Sequence, residues 1–306
     1  MRPTTRRRFG AALAIGGAWA ALPAFGQQKK PKVVASFTIL ADLVAMVGGD
    51  RIELATLVGA DKDAHSYEPT AGDSRTVAAA QVLVTNGLGF EPWADRLARA
   101  ASFRGRRVVA TSDVPRERYL AGEQHHGAAA ATDPHMFQDV ALGRRYVATI
   151  AKGLAEADPA AAQDYRQRAE AYDKRLADLD AWVRQQIDTV PATKRRVITG
   201  HDAFHYFARA YGVTFRAPQG LSTAQEASAR DVATLIQQIR REGIRAIFIE
   251  NMSNPKLVEQ IAREAGGGVG PELYVDALSP AGGPADTYEK MFRHNVTALV
   301  AGMAKN

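Results

Sequence analysis

The chain contains no cysteine. That excludes disulfides, thiolate zinc sites, iron–sulfur clusters and a cysteine nucleophile. It also excludes a lipid anchor on an N-terminal cysteine. Any transition-metal site must then use His nitrogens and carboxylate oxygens. Histidine is scarce as well: seven in 306 residues, at positions 65, 125, 126, 135, 201, 205 and 294. There is no P-loop, no nucleophile elbow and no HExxH helix. No aromatic–basic RNA motif and no basic stripe occurs. The rest is ordinary for a globular protein, with 46% hydrophobic and 24% charged residues. The length suits about two domains.

Basic charge is concentrated at one end. Residues 1–26 carry four Arg (Arg2, Arg6, Arg7, Arg8) and no acid. An Ala- and Gly-rich apolar run from Phe9 to Phe25 follows. It closes on Ala24-Phe25-Gly26, a small-x-small pattern. This is the layout of a secretory signal peptide, with cleavage expected near Gly26. Thr5-Arg6-Arg7-Arg8-Phe9 also fits a twin-arginine export motif; the general secretion route stays open. A membrane anchor is the alternative, but the run is short and Gly-rich for a ~20-residue span. Without residues 1–26, 35 basic residues face 33 acidic ones, so the net charge drops from +6 to +2. A nearly balanced mature chain offers no electrostatic case for nucleic acid.

The mature chain alternates short β-branched runs with helical patterns. Strands are expected at Val33 to Leu40, Ile52 to Val58, Val82 to Thr85 and Arg107 to Thr111. The helices expected with them are Ala41 to Gly48, Thr76 to Ala80 and Trp93 to Ala101. Such spacing indicates βαβ units and a mostly parallel sheet. Residues 119–132 read as a Gly/Ala-rich surface loop, after which Asp133-Pro134 should open a helix as cap and first-turn proline. From Pro159 to about Val190, Tyr165, Ala169, Tyr172, Leu176, Leu179, Trp182, Val183 and Ile187 recur at three- and four-residue steps. That is one long amphipathic helix, ended by Pro191. The alternation then restarts. Strands are expected at Arg196 to Thr199, Val213 to Ala217, Ala246 to Glu250 and Glu272 to Leu278. Helices are expected at Ala203 to Tyr211, Ala229 to Glu242, Pro255 to Ala265 and Tyr288 to Met303. The expected organisation is a signal peptide (1–26), an N-terminal α/β lobe (27–158), a linking helix (159–191) and a C-terminal α/β lobe (192–306).

In open α/β sheets, ligands lie beyond the carboxyl ends of the strands. His65 follows the second strand, and His201 follows Arg196 to Thr199. Asp276 nears the end of its strand, and His135 could converge from the loop. Three neutral imidazoles and one carboxylate suit Zn2+ in a tetrahedral shell, and equally Mn2+ with a bidentate carboxylate. Spacings of about 70 residues match no local metal motif. An isolated His at a helix start is more often a cap or a hydrogen-bonded surface residue than a ligand.

The ordered segments VVASFTILADLV, DAHSYEP, VTNGLGFEPW, DPHMF, GHDAFHYFARAYGV, AIFIEN and YVDALS lie within a resemblance that runs from about Lys32 to Met303. Together they resemble the zinc/manganese-binding periplasmic solute receptors of bacterial metal ABC importers. The resemblance implies two α/β lobes joined by one long rigid helix, with the metal in the cleft between them. It implies the ligands His65, His135, His201 and Asp276. It also implies a membrane ABC permease as partner, a periplasmic location, a monomer and, as a further partner, a periplasmic metal chaperone. Some manganese members carry Glu where His201 stands, so the third His tilts the expectation toward zinc as cargo. Many zinc members have a long His- and acid-rich loop before DPH. Here only Glu123, His125 and His126 remain, either a metal-collecting loop or incidental solvated residues.

Other residues are expected in supporting roles. His205, four residues after His201, should pack or assist a ligand. Glu250 either accepts a hydrogen bond from a ligand imidazole or is a plain strand-end acid. Asp202 reads as a helix cap and His294 as structural. Tyr67, Glu68 and Pro69 should shape the His65 loop, and Trp93 should pack beneath the cleft rim. Two other functions remain: a zinc-dependent hydrolase, which needs an open coordination position and a base, and an adhesin that uses metal only to fold. Binding without turnover is the expectation, because four protein ligands close the shell.

Overall fold

The computed structural model describes residues 29–115, 120 and 132–306. The signal peptide expected over residues 1–26 and the loop residues Glu123, His125 and His126 lie outside the described residues. In the first lobe, β1 (Lys32–Phe37), β2 (Glu53–Val58), β3 (Val82–Thr85) and β4 (Arg106–Val109) form one sheet in the order β2-β1-β3-β4. Every pairing is parallel, with Val33 opposite both Leu54 and Val82. β1 and β3 are central and almost wholly buried, which explains their unbroken apolar runs. α1 (Thr38–Gly48) starts three residues before the position expected from sequence. Ile39, Leu40, Leu43, Val44 and Val47 are all buried on it. An apolar run of that kind serves a strand or a helix, and its three- and four-residue spacing decides for the helix. α2 (Ala71–Ala78) and α3 (Ala94–Ala100) follow β2 and β3.

The helix expected at Asp133-Pro134 opens later. α4 (Val140–Ala157) is capped by Asp139, whose carboxylate accepts from Ala141 N at 2.8 Å. Residues 136–138 form a single 3-10 turn, and Asp133 is used elsewhere. α5 (Ala162–Asp188) is the long helix, 27 residues and about 40 Å at 1.5 Å per residue. It packs on α1 and α4, and also on two helices of the second lobe, α6 (His205–Tyr211) and α9 (Tyr288–Met303).

The second lobe has less regular strand structure. β5 (Arg196–Ile198) and β6 (Thr214–Arg216) pair in parallel. α7 (Ala229–Glu242) and α9 fill their expected ranges, and α8 (Lys256–Glu264) is one residue shorter at each end. The strands expected at residues 246–250 and 272–278 are extended segments joined only by single parallel bridges, Ile198 to Ile247 and Glu250 to Leu273. Side-chain amides take the place of a ladder there. Asn295 binds both the N–H and the carbonyl of Tyr274, at 3.0 and 2.6 Å. Asn251 accepts from Val275 N at 3.2 Å, and Gln138 donates to Val275 O at 2.8 Å. Backbone groups satisfied this way need no neighbouring strand.

One continuous apolar core runs from the first sheet, along α5, to Phe204, Phe248, Tyr288 and Met303. A smaller cluster lies under α7 and α8, around Ile236, Ile247 and Ile261. The lobes therefore share a core instead of touching through a thin hinge. Polar contacts reinforce the junction. Thr38 Oγ1 accepts from Leu278 N at 2.9 Å, and Asn251 donates to Asp61 at 2.8 Å. Among the described residues, no helix is long and apolar enough to cross a membrane.

Asp42 on α1 accepts from Tyr288 N, at the start of α9, at 2.9 Å. Burial, with Glu289 and Asp286 nearby, raises its carboxyl to about 6, although Tyr288 N and Arg175 oppose this. A folded pKa above the unfolded one stabilises at low pH, and that contribution is lost as pH rises through 6. Asp42→Asn keeps an acceptor for Tyr288 N without the charge. It should stabilise the protein by about 1–2 kcal/mol above pH 7 and by almost nothing near pH 4. Urea denaturation at the two pH values measures this; an equal effect at both would refute it.

Candidate metal centre

Each of four loop ends delivers one side chain. His65 lies on the loop after β2. Asp63 Oδ1 accepts from His65 N at 2.8 Å, and Ser66 Oγ donates to Asp63 Oδ2 at 2.6 Å. Trp93 Nε1 donates to Ala64 O at 2.8 Å, and the Tyr67 ring meets Trp93 edge-on at 5.2 Å. Tyr67 also donates to Asp73, which forms a capping box with Thr70 at the start of α2. The DAHSYEP loop is thus tied to two helices, with Glu68 exposed.

His135 sits before the 3-10 turn. Asp133 Oδ1 accepts from both His135 N and His135 Nδ1, each at 2.8 Å. Asn86 donates to Pro134 O at 2.9 Å, and Tyr146 donates to Asn86 at 2.7 Å. Buried Glu91 in turn accepts from Asn86 N, Gly87 N and Ser36 Oγ. His201 follows β5. Glu250 Oε2 accepts from His201 Nδ1 at 2.8 Å, while Oε1 accepts from Gly200 N and His201 N. A Cβ at residue 200 would lie 3.0 Å from the Glu250 carboxylate, so glycine permits this approach. Asp276 ends the amide-held segment after Tyr274.

With Nδ1 donating to a carboxylate, the neutral His135 and His201 rings present their Nε2 lone pairs to the centre. His65 Nε2 lies 3.2 Å from both His135 Nε2 and Asp276 Oδ2. His201 Nε2 is 3.1 Å from Asp276 Oδ2, and His135 Nε2 is 3.7 Å from Asp276 Oδ1. One donor atom from each of the four lies within 4.8 Å of every other. Zinc bonds of about 2.0–2.2 Å at tetrahedral angles put ligand atoms roughly 3.3–3.6 Å apart. The four residues are 0–3% exposed. His201 Nε2 and both Asp276 oxygens are buried without an aligned hydrogen-bond partner. Unsatisfied groups of that kind are expensive, and a divalent cation at their centre would satisfy all of them.

The protonation states follow from the charges. Burial depresses His65 below its usual range, against the pull of Asp276. His135 is also penalised by burial, but Asp276 and Asp133 outweigh this and raise it to about 9. His201 goes well above 6.5, because Glu250 and Asp276 overcome its burial. Burial likewise opposes the ionised form of Asp276, yet His201 and His135 hold it well below the usual carboxylate range. Asp133 falls to about 2 for the same reason, with His135 and His205 outweighing burial.

The other expected residues are sorted by the same contacts. Glu250 backs His201 and is not a plain surface acid. His205 is not among the four converging residues; its Nδ1 faces Asp133 Oδ2 at 3.0 Å. His294 lies apart, against Glu272 O at 2.9 Å. Asp202 is not a helix cap: α6 starts at His205, and its cap position is Phe204 with no side-chain bond. The role of Asp133 behind His135 was missed in the sequence, where it read as a cap. Its signal was there, because Asp63-Ala64-His65 and Asp133-Pro134-His135 share one spacing, and in both the Asp accepts from the N–H of the His two residues on.

The family described as zinc-uptake complex component A, periplasmic, matches residues 33–302. The zinc-binding protein TroA of Treponema pallidum (strain Nichols) is 36% identical over 305 residues, spanning 96% of this chain and 97% of that protein. The manganese-binding lipoprotein MntA of Halalkalibacterium halodurans is 31% identical over 280 residues, covering 90% of this chain and 89% of MntA. Among solved structures, the periplasmic zinc-binding protein TroA from Treponema pallidum superposes with a TM-score of 0.84 at 34% identity. That match covers 90% of this chain and 100% of the other. With a match across nearly its whole length, the chain belongs to the family of periplasmic zinc-uptake complex component A proteins.

Proposed function

We propose that this protein is a periplasmic receptor that captures one divalent transition-metal ion, Zn2+ foremost, through His65, His135, His201 and Asp276, and delivers it to a membrane ABC permease for import. The observation that carries this reading is the convergence of four buried donor groups, from four separate segments, at separations matching a metal shell. Three imidazoles and one carboxylate, with four of their mutual separations at 3.1–3.7 Å, favour zinc. Mn2+ is the alternative cargo, since both Asp276 oxygens face the cluster and allow a bidentate carboxylate. Relatives named for each metal support keeping both. Four protein ligands leave no open position for an activated water, so capture without turnover is the better reading than hydrolysis. A cleaved signal peptide, a monomeric state and loading by a periplasmic chaperone complete the proposal. The shared core argues against a wide hinge, so release would come from ligand rearrangement at the permease.

Calorimetry on the metal-free mature protein should give one ion per chain. His65→Ala, His135→Ala, His201→Ala and Asp276→Ala should each weaken binding by about 100-fold or more, some 2.7 kcal/mol. Affinities equal to wild type across the series would sink the assignment. Metal should also raise the melting temperature of an already folded chain through mass action; a chain unfolded without metal would favour the structural alternative.

Protons compete for the same nitrogens. His135 titrates near 9 and His201 well above 6.5 when no cation is bound, so both are charged at pH 7. Binding should therefore release about two protons at pH 7, and affinity should climb from pH 6 toward 9. Calorimetry in buffers of different ionisation heat counts these protons. An affinity flat over that range contradicts the proposed ligand set.

A further inference from the structure

We propose that His205 is a positioning residue for metal binding: through Asp133 it sets the ring of His135 and ties that ligand to the opposite lobe. This rests on the receptor reading above. The Asp133 carboxylate is fully buried, and its two oxygens have separate tasks. Oδ1 accepts from the His135 backbone N–H and ring Nδ1, both at 2.8 Å. Oδ2 accepts from His205 Nδ1 at 3.0 Å. A carboxylate bonded at one oxygen can rotate about its Cβ–Cγ bond. A donor at the second oxygen fixes its plane, and with it the direction in which Oδ1 holds the imidazole.

The next residue grips the same point. Tyr206 Oη donates to Asp133 O at 3.2 Å and accepts from Leu120 N at 3.0 Å, while Asp133 N donates to Leu120 O at 2.8 Å. Consecutive residues of α6 therefore hold both the side chain and the carbonyl of Asp133. α6 also contacts the 3-10 turn that follows His135. Four residues before His205 stands His201, whose ring centroid is 5.3 Å from that of His135. One short second-lobe segment, residues 201–206, thus supplies one imidazole directly and orients another through Asp133. The relative placement of the two rings is set within that segment, even though His135 comes from the first lobe.

The test uses the full mature chain, freed of metal and titrated with Zn2+ and with Co2+ as a spectroscopic stand-in. His205→Leu and His205→Ala remove the donor. His205→Asn restores it, because the Asn amide nitrogen sits where His Nδ1 sits. The apolar variants should bind about tenfold more weakly, the low end for residues that orient a metal-bound His. Their Co2+ visible bands should shift as the His135 ring loosens. His205→Asn should return to within about threefold of wild type with the wild-type spectrum. The proposal is overturned if both apolar variants match wild type in affinity and spectrum, or if His205→Asn is as weak as His205→Leu. It is also overturned if only the melting temperature changes, which marks a purely structural contact. Should the apolar variants fail to fold, His205→Gln, whose amide sits nearer the Nε2 position, misplaces the donor and takes their place with the same expected loss. A wild-type chain that binds neither ion, or a His135→Ala control that binds like wild type, instead sinks the receptor reading itself.

Discussion

The arrangement depends on balancing charge where water is absent. Asp276, Asp133 and Glu250 are all buried, at 0–2% exposure, around three imidazoles. Carboxylates in such a place are tolerated only with cations or strong donors beside them. Two of the three, Asp133 and Glu250, are satisfied by backbone and ring N–H groups of His135 and His201, with His205 and Gly200 N completing them. Asp276 is different: its oxygens face the Nε2 atoms of the imidazoles and little else. The raised pKa values of His135 and His201 favour protons there as the positive charge. On the proposed reading a bound ion would take that role and displace them, so that binding would exchange protons for metal.

The fold brings these charges together because the lobes share one core. α5 touches helices of both lobes, and the large apolar cluster continues across it. A cleft between independently moving lobes would leave these four side chains apart until closure. Here the first lobe presents His65 and His135, and the second presents His201 and Asp276, on surfaces already joined by buried side chains. Cross-lobe hydrogen bonds at Thr38, Asp42, Asp61, Asp63 and Asp133 lie around that junction. The geometry of the four converging side chains is therefore set largely by the packing of the whole molecule.

Much of this was legible in the sequence because the signals were periodic or local. α7 and α9 matched residue for residue because each has a clear cap, Ser228 or Thr287, and an amphipathic repeat. His65, His201 and Asp276 could be placed at strand ends from the βα alternation alone. The failures have physical causes. Asp133-Pro134 has the chemistry of a cap, but the buried imidazole two residues on claims that carboxylate. Helix α4 then takes Asp139 instead. The apolar run at Thr38-Ile39-Leu40 suits strand or helix when read alone, and its continuation in the spacing to Leu43, Val44 and Val47 is what makes it the first turn of α1. Asn86, held by Glu91, braces the His135 loop at Pro134, 48 residues further on; nothing local in the sequence reveals such a support.

The segment before Asp276 shows why a strand pattern need not become a strand. Leu273-Tyr274-Val275 is a continuous apolar, buried run, and a strand over residues 272–278 was expected. Asn295, Asn251 and Gln138 satisfy the N–H and carbonyl groups of Tyr274 and Val275 from three directions and stop there. The polypeptide beyond them is free to turn, and the Asp276 carboxylate is directed at the imidazoles rather than into a sheet. Leu273 still pairs with the backbone of Ile249 and Asn251, and side-chain amides take over at Tyr274 and Val275, just before Asp276. That substitution leaves the second lobe short of regular strands, and it belongs to the same constraint that buries three carboxylates at the junction.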